Sequence, residues 1–194
     1  DMAESVVQAD GTEKMVMKEI LLPEGRIPFV MSQDDVNYYD YMDGEGFATK
    51  IVIGEDGKPT CEYIQKDGTV VTGDYDLVPV LDRFVEEHPD FSYRGAKAIL
   101  AITGYEGTLG YETAPYRYDE VKHLAGLSSE EKKTMLEEER AACREVVAAL
   151  KADGYEFASH SYGHGNMQTN TVEKFKYDMN HWLDEVGSLL GDTD

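Results

Sequence analysis

Three short apolar segments, with amphipathic helix patterns between them, constrain the fold of this chain more than any other feature. The segments occupy residues 27–31, 96–103 and 155–158. Continuous apolar runs of this kind are typical of strands that are buried on both faces of a sheet. Because each segment is followed in turn by a helix pattern, the sequence predicts an α/β fold with parallel strands.

The helix patterns begin at residues that favour helix N-termini. Asp76 precedes the first pattern, and Ser128 with Glu131 forms a capping box for a long second helix. Asn170 is expected to open the last helix. Its expected apolar stripe consists of Val172, Phe175, Met179, Leu183, Val186 and Leu190.

Two further regions can be predicted from the sequence. Residues 1–26 are mostly polar and are expected to be a lead-in segment before one domain at 27–194. Between residues 47 and 71, alternating segments are separated by turn sequences at 55–57 and 67–68. This pattern predicts β-hairpins inserted before the second apolar segment.

The formal net charge of −21 narrows the range of partners. Because 18 Lys and Arg residues stand against 39 Asp and Glu residues, we expect neither nucleic acid nor an anionic membrane surface as a partner. Apolar runs such as residues 98–102 are too short to span a bilayer. The chain begins at Asp1, so we expect a processed or excised piece, whose lack of a signal peptide says little about the parent protein.

Two polar clusters follow the first and third apolar segments. Asp34 and Asp35 form the only Asp-Asp pair in the sequence, and His160 and His164 are the only histidines at metal-ligand spacing. The carboxyl ends of parallel strands meet at one edge of a sheet, so these side chains can share a site if the chain bends at the aspartates. Two imidazoles and one carboxylate would leave coordination positions open, and a second carboxylate could take a proton from water.

The sequence around these clusters resembles the polysaccharide deacetylases, the NodB-homology carbohydrate esterases. Residues 154–164, GYEFASHSYGH, are similar to the histidine motif of that family. Residues 32–36, SQDDV, are similar to its Thr-Phe-Asp-Asp-Gly motif. Gln33 replaces the aromatic residue and Val36 replaces the glycine, which puts the local turn and the substrate class in question.

The resemblance implies a role for each residue of the two clusters. Asp34 would be the catalytic base, while Asp35, His160 and His164 would bind a divalent metal ion, for which we expect zinc. Ser161 would hold the loop between the histidines. The implied activity is hydrolysis of N-acetyl groups from an amino-sugar polysaccharide, such as a peptidoglycan- or chitin-like glycan. The implied location is extracellular or at the surface of a bacterial cell.

Tyrosines lie close to both clusters in the sequence. Tyr38, Tyr39 and Tyr41 follow the aspartates, and Tyr105 belongs to a tyrosine-rich loop after the second apolar segment. Such rings could stack on sugars and bind their hydroxyl groups, with Tyr38, Tyr39 and Tyr105 as substrate-binding candidates. They could equally well cover loop backbone, and the sequence leaves both interpretations open.

The resemblance covers residues 27–194 and implies the amino-terminal part of a distorted (β/α) barrel, truncated at the C-terminus. The family's later motifs, including the one that supplies the general acid, have no counterpart here, and His123 and His181 are poor substitutes. Three strands cannot close a barrel, so residues 99–102 are expected to form an exposed apolar edge. We therefore expect either self-association or association with the rest of the domain.

Two other functions are compatible with the same residues. The chain could be a non-catalytic module that binds carbohydrate or metal. Alternatively, the metal site could act on a non-sugar amide or an O-acetyl ester. Histidines that converge with Asp35 would favour catalysis, whereas histidines that diverge would favour the binding module.

Overall fold

The computed structural model describes residues 3–19, 21–120, 124 and 126–191. The chain forms two compact units, residues 1–30 and 31–194. In the first unit, strands β1 (Ala3–Val7) and β2 (Glu13–Met17) pair in an antiparallel hairpin. The lead-in segment therefore has a secondary structure that its polar sequence did not predict.

The second unit begins with strand β3 (Met31–Val36), and the predicted strand at 27–31 is wrong. Ile27 and Phe29 are 88% and 70% exposed, respectively. Pairing with the neighbouring strand starts only at Met31, opposite Ala98. The apolar run that suggested a strand therefore precedes it, and Pro28 within that run has no N–H for a sheet hydrogen bond.

An antiparallel meander and a helix follow β3. The meander consists of strands β4 (Lys50–Ile53), β5 (Pro59–Ile64) and β6 (Val70–Gly73), which confirms the predicted hairpins. Helix α1 (Leu77–Glu87) begins after Asp76, whose Oδ1 accepts a hydrogen bond from the Leu77 N–H over 2.7 Å. The predicted cap of the first helix is therefore confirmed.

The rest of the unit alternates strands with helices. Its elements are β7 (Ala98–Ile102), α2 (Arg117–Glu120), α3 (Ser129–Ala152), β8 (Glu156–Ser159) and α4 (Val172–Trp182). The capping box of Ser128 and Glu131 is present at the start of α3. Helix α3 buries Cys143, Val146, Val147 and Leu150 in the core, as their spacing predicts.

The last helix differs from its prediction. Its N-cap is Thr171 rather than Asn170, and α4 continues through a π-helical turn (Leu183–Gly187) into a final turn (Ser188–Leu190). Val186 and Leu190 of the predicted stripe are buried, together with Trp182, Gly187 and Leu189, whereas Val172, Phe175 and Leu183 are exposed. The π-helical turn carries an extra residue, which rotates the buried face within residues 183–187 and interrupts the regular stripe that the sequence suggested.

Strands β3, β7 and β8 form a parallel sheet with β7 at its centre. The predicted α/β fold is confirmed, and the described residues form no closed barrel. The prediction of an exposed edge at residues 99–102 is wrong, because β7 is paired on both sides and Leu100 and Ile102 are fully buried. Among the described residues, no helix combines the length and apolarity that crossing a membrane requires.

Candidate metal centre

A β-bulge in β3 places the two aspartates. Gln33 pairs with Leu100 and Val36 pairs with Ile102, so β3 carries one more residue than β7 over this stretch. Asp35 lies in the bulge with φ of 51°, a left-handed conformation that Asp tolerates better than most residues. The bulge therefore bends the chain at the two aspartates, as a site at this edge of the sheet requires.

The Asp35 carboxylate is oriented by two hydroxyl groups. Its Oδ1 accepts a hydrogen bond from the Tyr39 hydroxyl over 2.8 Å and another from the Thr103 hydroxyl over 2.7 Å. Its Oδ2 lies 4.0 Å from Nε2 of His164. One oxygen of Asp35 is therefore held by the protein, and the other faces a histidine.

The loop after β8 carries both histidines. The His160 N–H donates to the Ile102 carbonyl over 3.0 Å, which extends the pairing of β8 with β7 beyond the strand. The two imidazoles are stacked, with ring centroids 5.1 Å apart. Ser161 is buried with φ of 72°, and its N–H donates to Oγ of Ser159 over 3.2 Å. Ser161 thus makes this contact with Ser159 through its backbone.

Contacts from two other elements hold this loop in place. The Tyr162 carbonyl accepts hydrogen bonds from the N–H groups of Gly104 and Tyr105 over 3.2 and 3.0 Å. On α4, Asp178 accepts hydrogen bonds from the N–H groups of Tyr162 and Gly163, each over 2.8 Å. A Cβ atom at Gly104 would lie 2.5 Å from Cγ2 of Val186, so only glycine fits there.

Thr103 and Asp178 support the site but were not among the residues predicted from the sequence. Thr103 directly follows β7, at the edge of the sheet where both polar clusters end. This position was a signal that could have identified it. Asp178 carries no comparable signal, because the chain has 39 acidic residues and nothing in the sequence distinguishes this one from the others.

The structure brings the predicted metal ligands together. One ligand atom each of Asp35, His160 and His164 lies within 4.8 Å of the others. Two ligands about 2.0 to 2.2 Å from a tetrahedral zinc ion are about 3.3 Å apart, so small side-chain rotations would complete the geometry. A set of two imidazoles and one carboxylate suits zinc and leaves a position free for water or substrate.

The remaining predicted residues occupy different positions around this triad. Asp34 is exposed in the bulge beside Asp35. Tyr38 donates its hydroxyl hydrogen bond to Oδ2 of Asp76, at the cap of α1, over 2.8 Å. Burial, together with the hydrogen bond to Asp35, raises the pKa of Tyr39 above its usual range. Tyr105 packs against Tyr39 with ring centroids 5.7 Å apart.

An exposed aromatic ring adjoins Tyr39. Tyr41 is 72% exposed, and its ring stacks on that of Tyr39 at 5.5 Å with an interplanar angle of 23°. One face of Tyr41 is therefore supported by a buried ring, which itself contacts Asp35 through its hydroxyl. The aromatic residues near the triad thus include an open stacking surface.

The two departures from the aspartate motif have structural roles. Gln33 donates from Nε2 to Oδ1 of Asp76 over 2.9 Å, and so ties β3 to the cap of α1. Val36 is buried in the core. Both residues contribute to packing and hydrogen bonding around the bulge. Neither departure from the motif removes a ligand from the triad.

A groove adjoins the histidines. It has a volume of about 570 Å³, and its walls include His160, His164, Met167, Phe175 and Met179. This side of the site is therefore apolar, in contrast to the hydroxyl-rich side at Asp35.

Of the two histidines considered as acids, the structure describes only His181. His181 packs against the rings of Tyr162 and Tyr177, with centroids 5.3 and 4.2 Å away. His123 lies outside the described residues.

Comparisons of this chain with protein-family models, with curated proteins and with solved structures found no match. The geometry of Asp35, His160 and His164 is therefore the strongest indication of what the chain does.

Proposed function

We propose that the chain binds a divalent metal ion, expected to be zinc, and hydrolyses N-acetyl groups on an amino-sugar polymer. The observation that carries this proposal is the convergence of Asp35, His160 and His164 within 4.8 Å at one edge of the sheet. The resemblance of residues 32–36 and 154–164 to the polysaccharide deacetylases supports the choice of substrate.

The residues around the triad can divide the work of such a hydrolysis. When bound, the ion would act as a Lewis acid that polarises the acyl carbonyl and makes water easier to deprotonate. Asp34 is exposed and adjoins Asp35 in the bulge; its carboxylate would accept the proton of the attacking water and return it to the nitrogen of the departing amine as the carbon–nitrogen bond breaks. Tyr39 and Thr103 keep Oδ1 of Asp35 occupied, so that Oδ2 remains directed towards the histidines.

The tyrosines offer a surface for the glycan. Tyr41 presents an exposed ring next to Tyr39, and the ring of Tyr105 also contacts that of Tyr39. Aromatic rings bind the apolar faces of sugars while leaving their hydroxyl groups in water. In this arrangement the polymer would lie along the Asp35 side of the triad.

A second candidate function is hydrolysis of a non-sugar amide or an O-acetyl ester by the same site. The groove beside the histidines favours it, because Met167, Phe175 and Met179 would suit an apolar substituent better than a sugar. The substrates that are turned over distinguish the two functions.

The experiment compares Asp34→Asn with Asp35→Asn, measuring bound zinc and the release of acetate from an acetylated chito-oligomer. Asp34→Asn should keep its zinc, while its rate of acetate release should fall by a factor of about 10² or more, as expected for a lost general base. Asp35→Asn should lose zinc and activity together. Exposed Asp184 on the π-helical turn provides a matched control, Asp184→Asn, which should change neither quantity.

Each other outcome has a defined meaning. Zinc binding without release of acetate from any substrate would favour a non-catalytic module. Turnover of simple acyl esters or anilides in preference to the chito-oligomer would favour the second candidate. Loss of zinc in Asp34→Asn would mean that Asp34 is a ligand and that the roles of the two aspartates are exchanged.

A further inference from the structure

Arg117, the first residue of α2, is a buried cation with three carboxylate neighbours. Its side chain is 6% exposed. Nη2 donates to the two Asp40 oxygens over 2.8 and 3.0 Å, and Nε donates to Oε2 of Glu112 over 2.6 Å. Nη1 lies 3.6 Å from Oε2 of Glu106. A charge buried to this degree is held in place by its partners, because leaving it unpaired would be very unfavourable.

These carboxylates belong to the two loops that carry the tyrosines of the site. Asp40 directly follows Tyr39, and Glu106 directly follows Tyr105. The loops are also joined to each other, since the Asp40 N–H donates to Oε2 of Glu106 over 3.2 Å. The guanidinium of Arg117 therefore clamps the loop after β3 to the loop after β7.

Asp40, which Arg117 binds, is adjacent in the sequence to Tyr39, and Tyr39 orients the metal ligand Asp35. Tyr39 is buried, and its hydroxyl donates to Oδ1 of Asp35. Its ring contacts the rings of both Tyr41 and Tyr105, with centroids 5.5 and 5.7 Å away. A shift of Asp40 would move the Tyr39 backbone, and with it the hydroxyl that holds Asp35.

We propose that Arg117 is a positioning residue of the metal centre, which acts through Asp40 and Tyr39 on the orientation of Asp35. The inference rests on the proposed metal site and deepens it. The planar fork of Arg117 engages Asp40 and Glu112 at once, a geometry that the single ammonium group of lysine cannot reproduce. Arg117→Lys therefore keeps the charge and removes the fork.

The test measures the dissociation constant for Zn²⁺ and the visible spectrum of the Co²⁺-substituted protein, with the unfolding midpoint recorded alongside. Changes to residues that bond directly to metal ligands typically weaken metal binding by about 10- to 100-fold. Because Arg117 acts on Asp35 only through Asp40 and Tyr39, we expect zinc binding to weaken by about 3- to 10-fold in Arg117→Lys. The cobalt bands should change as the ligand geometry changes.

Arg140→Lys is the matched control. Arg140 is another paired arginine, with a side chain that is 23% exposed. It joins α3 to Glu185 and to the Thr113 carbonyl, and neither Asp40 nor Tyr39 is among its hydrogen-bond partners in the described part of the chain. This variant should lower the unfolding midpoint and leave the zinc constant and the cobalt spectrum unchanged.

A double-mutant cycle tests the route of the effect. If Arg117 acts through Tyr39, then Arg117→Lys should weaken zinc binding much less in a Tyr39→Phe background than in the native chain. If Arg117→Lys does not fold, Asp40→Asn removes one arm of the clamp and should give the same dependence on Tyr39.

The inference is overturned if Arg117→Lys or Asp40→Asn lowers stability alone, or if its effect simply adds to that of Tyr39→Phe. Native protein that binds zinc but hydrolyses nothing would contradict the proposed hydrolysis and leave the role of Arg117 intact. Native protein that binds no zinc would overturn both.

Discussion

The hydroxyl of Tyr39 donates to Oδ1 of Asp35 over 2.8 Å, and so links a buried aromatic residue to the carboxylate of the triad. Thr103, at the end of β7, donates to the same oxygen. The orientation of Asp35 is thus fixed from its own loop and from the neighbouring strand. Outer hydrogen bonds of this kind commonly determine how well a metal ligand performs.

Tyr39→Phe should weaken zinc binding by about 10-fold or more, because it removes the hydroxyl and keeps the buried ring. Tyr38→Phe is the matched control, since the Tyr38 hydroxyl bonds to Asp76 at the cap of α1. That variant should lower stability by about 1 kcal/mol and leave zinc binding unchanged. Titration with a competing chelator measures the first quantity and urea unfolding the second. Equal zinc constants for the two variants would contradict a role for Tyr39 in orienting Asp35.

Asp178→Asn should loosen the loop that carries both histidines. An amide in place of the carboxylate presents a donor to one of the N–H groups of Tyr162 and Gly163, which costs about 1 to 3 kcal/mol. We expect a lower unfolding midpoint together with about 10-fold weaker zinc binding. Asp184→Asn, an exposed change on the same helical segment, should alter neither value. An unchanged zinc constant in Asp178→Asn would show that the histidines do not depend on this support.

Tyr41→Ala should weaken binding of an acetylated chito-oligomer and leave zinc binding intact. The reason is that Tyr41 offers an exposed ring face next to the site but contacts no ligand of the triad in the described structure. Tyr177→Ala is the matched control, because Tyr177 is also an exposed tyrosine packed on another ring, that of His181. Isothermal titration with the oligomer compares the two. If both variants bind it like the native chain, the glycan does not stack on Tyr41.

The two cysteines should be unreactive in the folded chain. Cys61 and Cys143 are fully buried and free, and burial raises the pKa of each thiol to about 12 from an ordinary value of 9.0. At pH 8 a thiol reagent should modify neither residue until the chain is unfolded. The sign of the pH dependence follows. The unfolded chain loses thiol protons above about pH 9 while the folded chain retains them, so these residues make stability fall between about pH 9 and 12. Rapid modification without denaturant would contradict the buried positions.

The sequence predicted those features that depend on local chemistry. The capping box of Ser128 and Glu131 is present because it requires only residues three positions apart. The grouping of Asp35 with His160 and His164 was predictable because parallel strands end at one edge of a sheet.

Features that depend on distant partners were not predictable. The bulge at Asp35 arises from pairing with β7, and the apolar run before Met31 looks like a strand in the sequence, although the pairing of β3 with β7 begins only at Met31. The predicted stripe of the last helix holds at Val186, but the π-helical turn leaves Leu183 exposed and buries Leu189, which no regular period describes. The clamp of Arg117 joins residues that are far apart in the sequence and have no common motif.

The central position of β7 has a consequence for the order of folding. Contacts within β4, β5 and β6 are close in sequence, whereas β7 must find Met31 on one side and Glu156 on the other across long intervening segments. Well over half of the chain separates Asp35 from His160. Because distant contacts form slowly, the triad should assemble last, after most helical structure is present. In stopped-flow refolding, a zinc-dependent signal should therefore appear later than the far-ultraviolet circular dichroism signal. Zinc should also bind the complete sheet more tightly than partly folded forms of the chain.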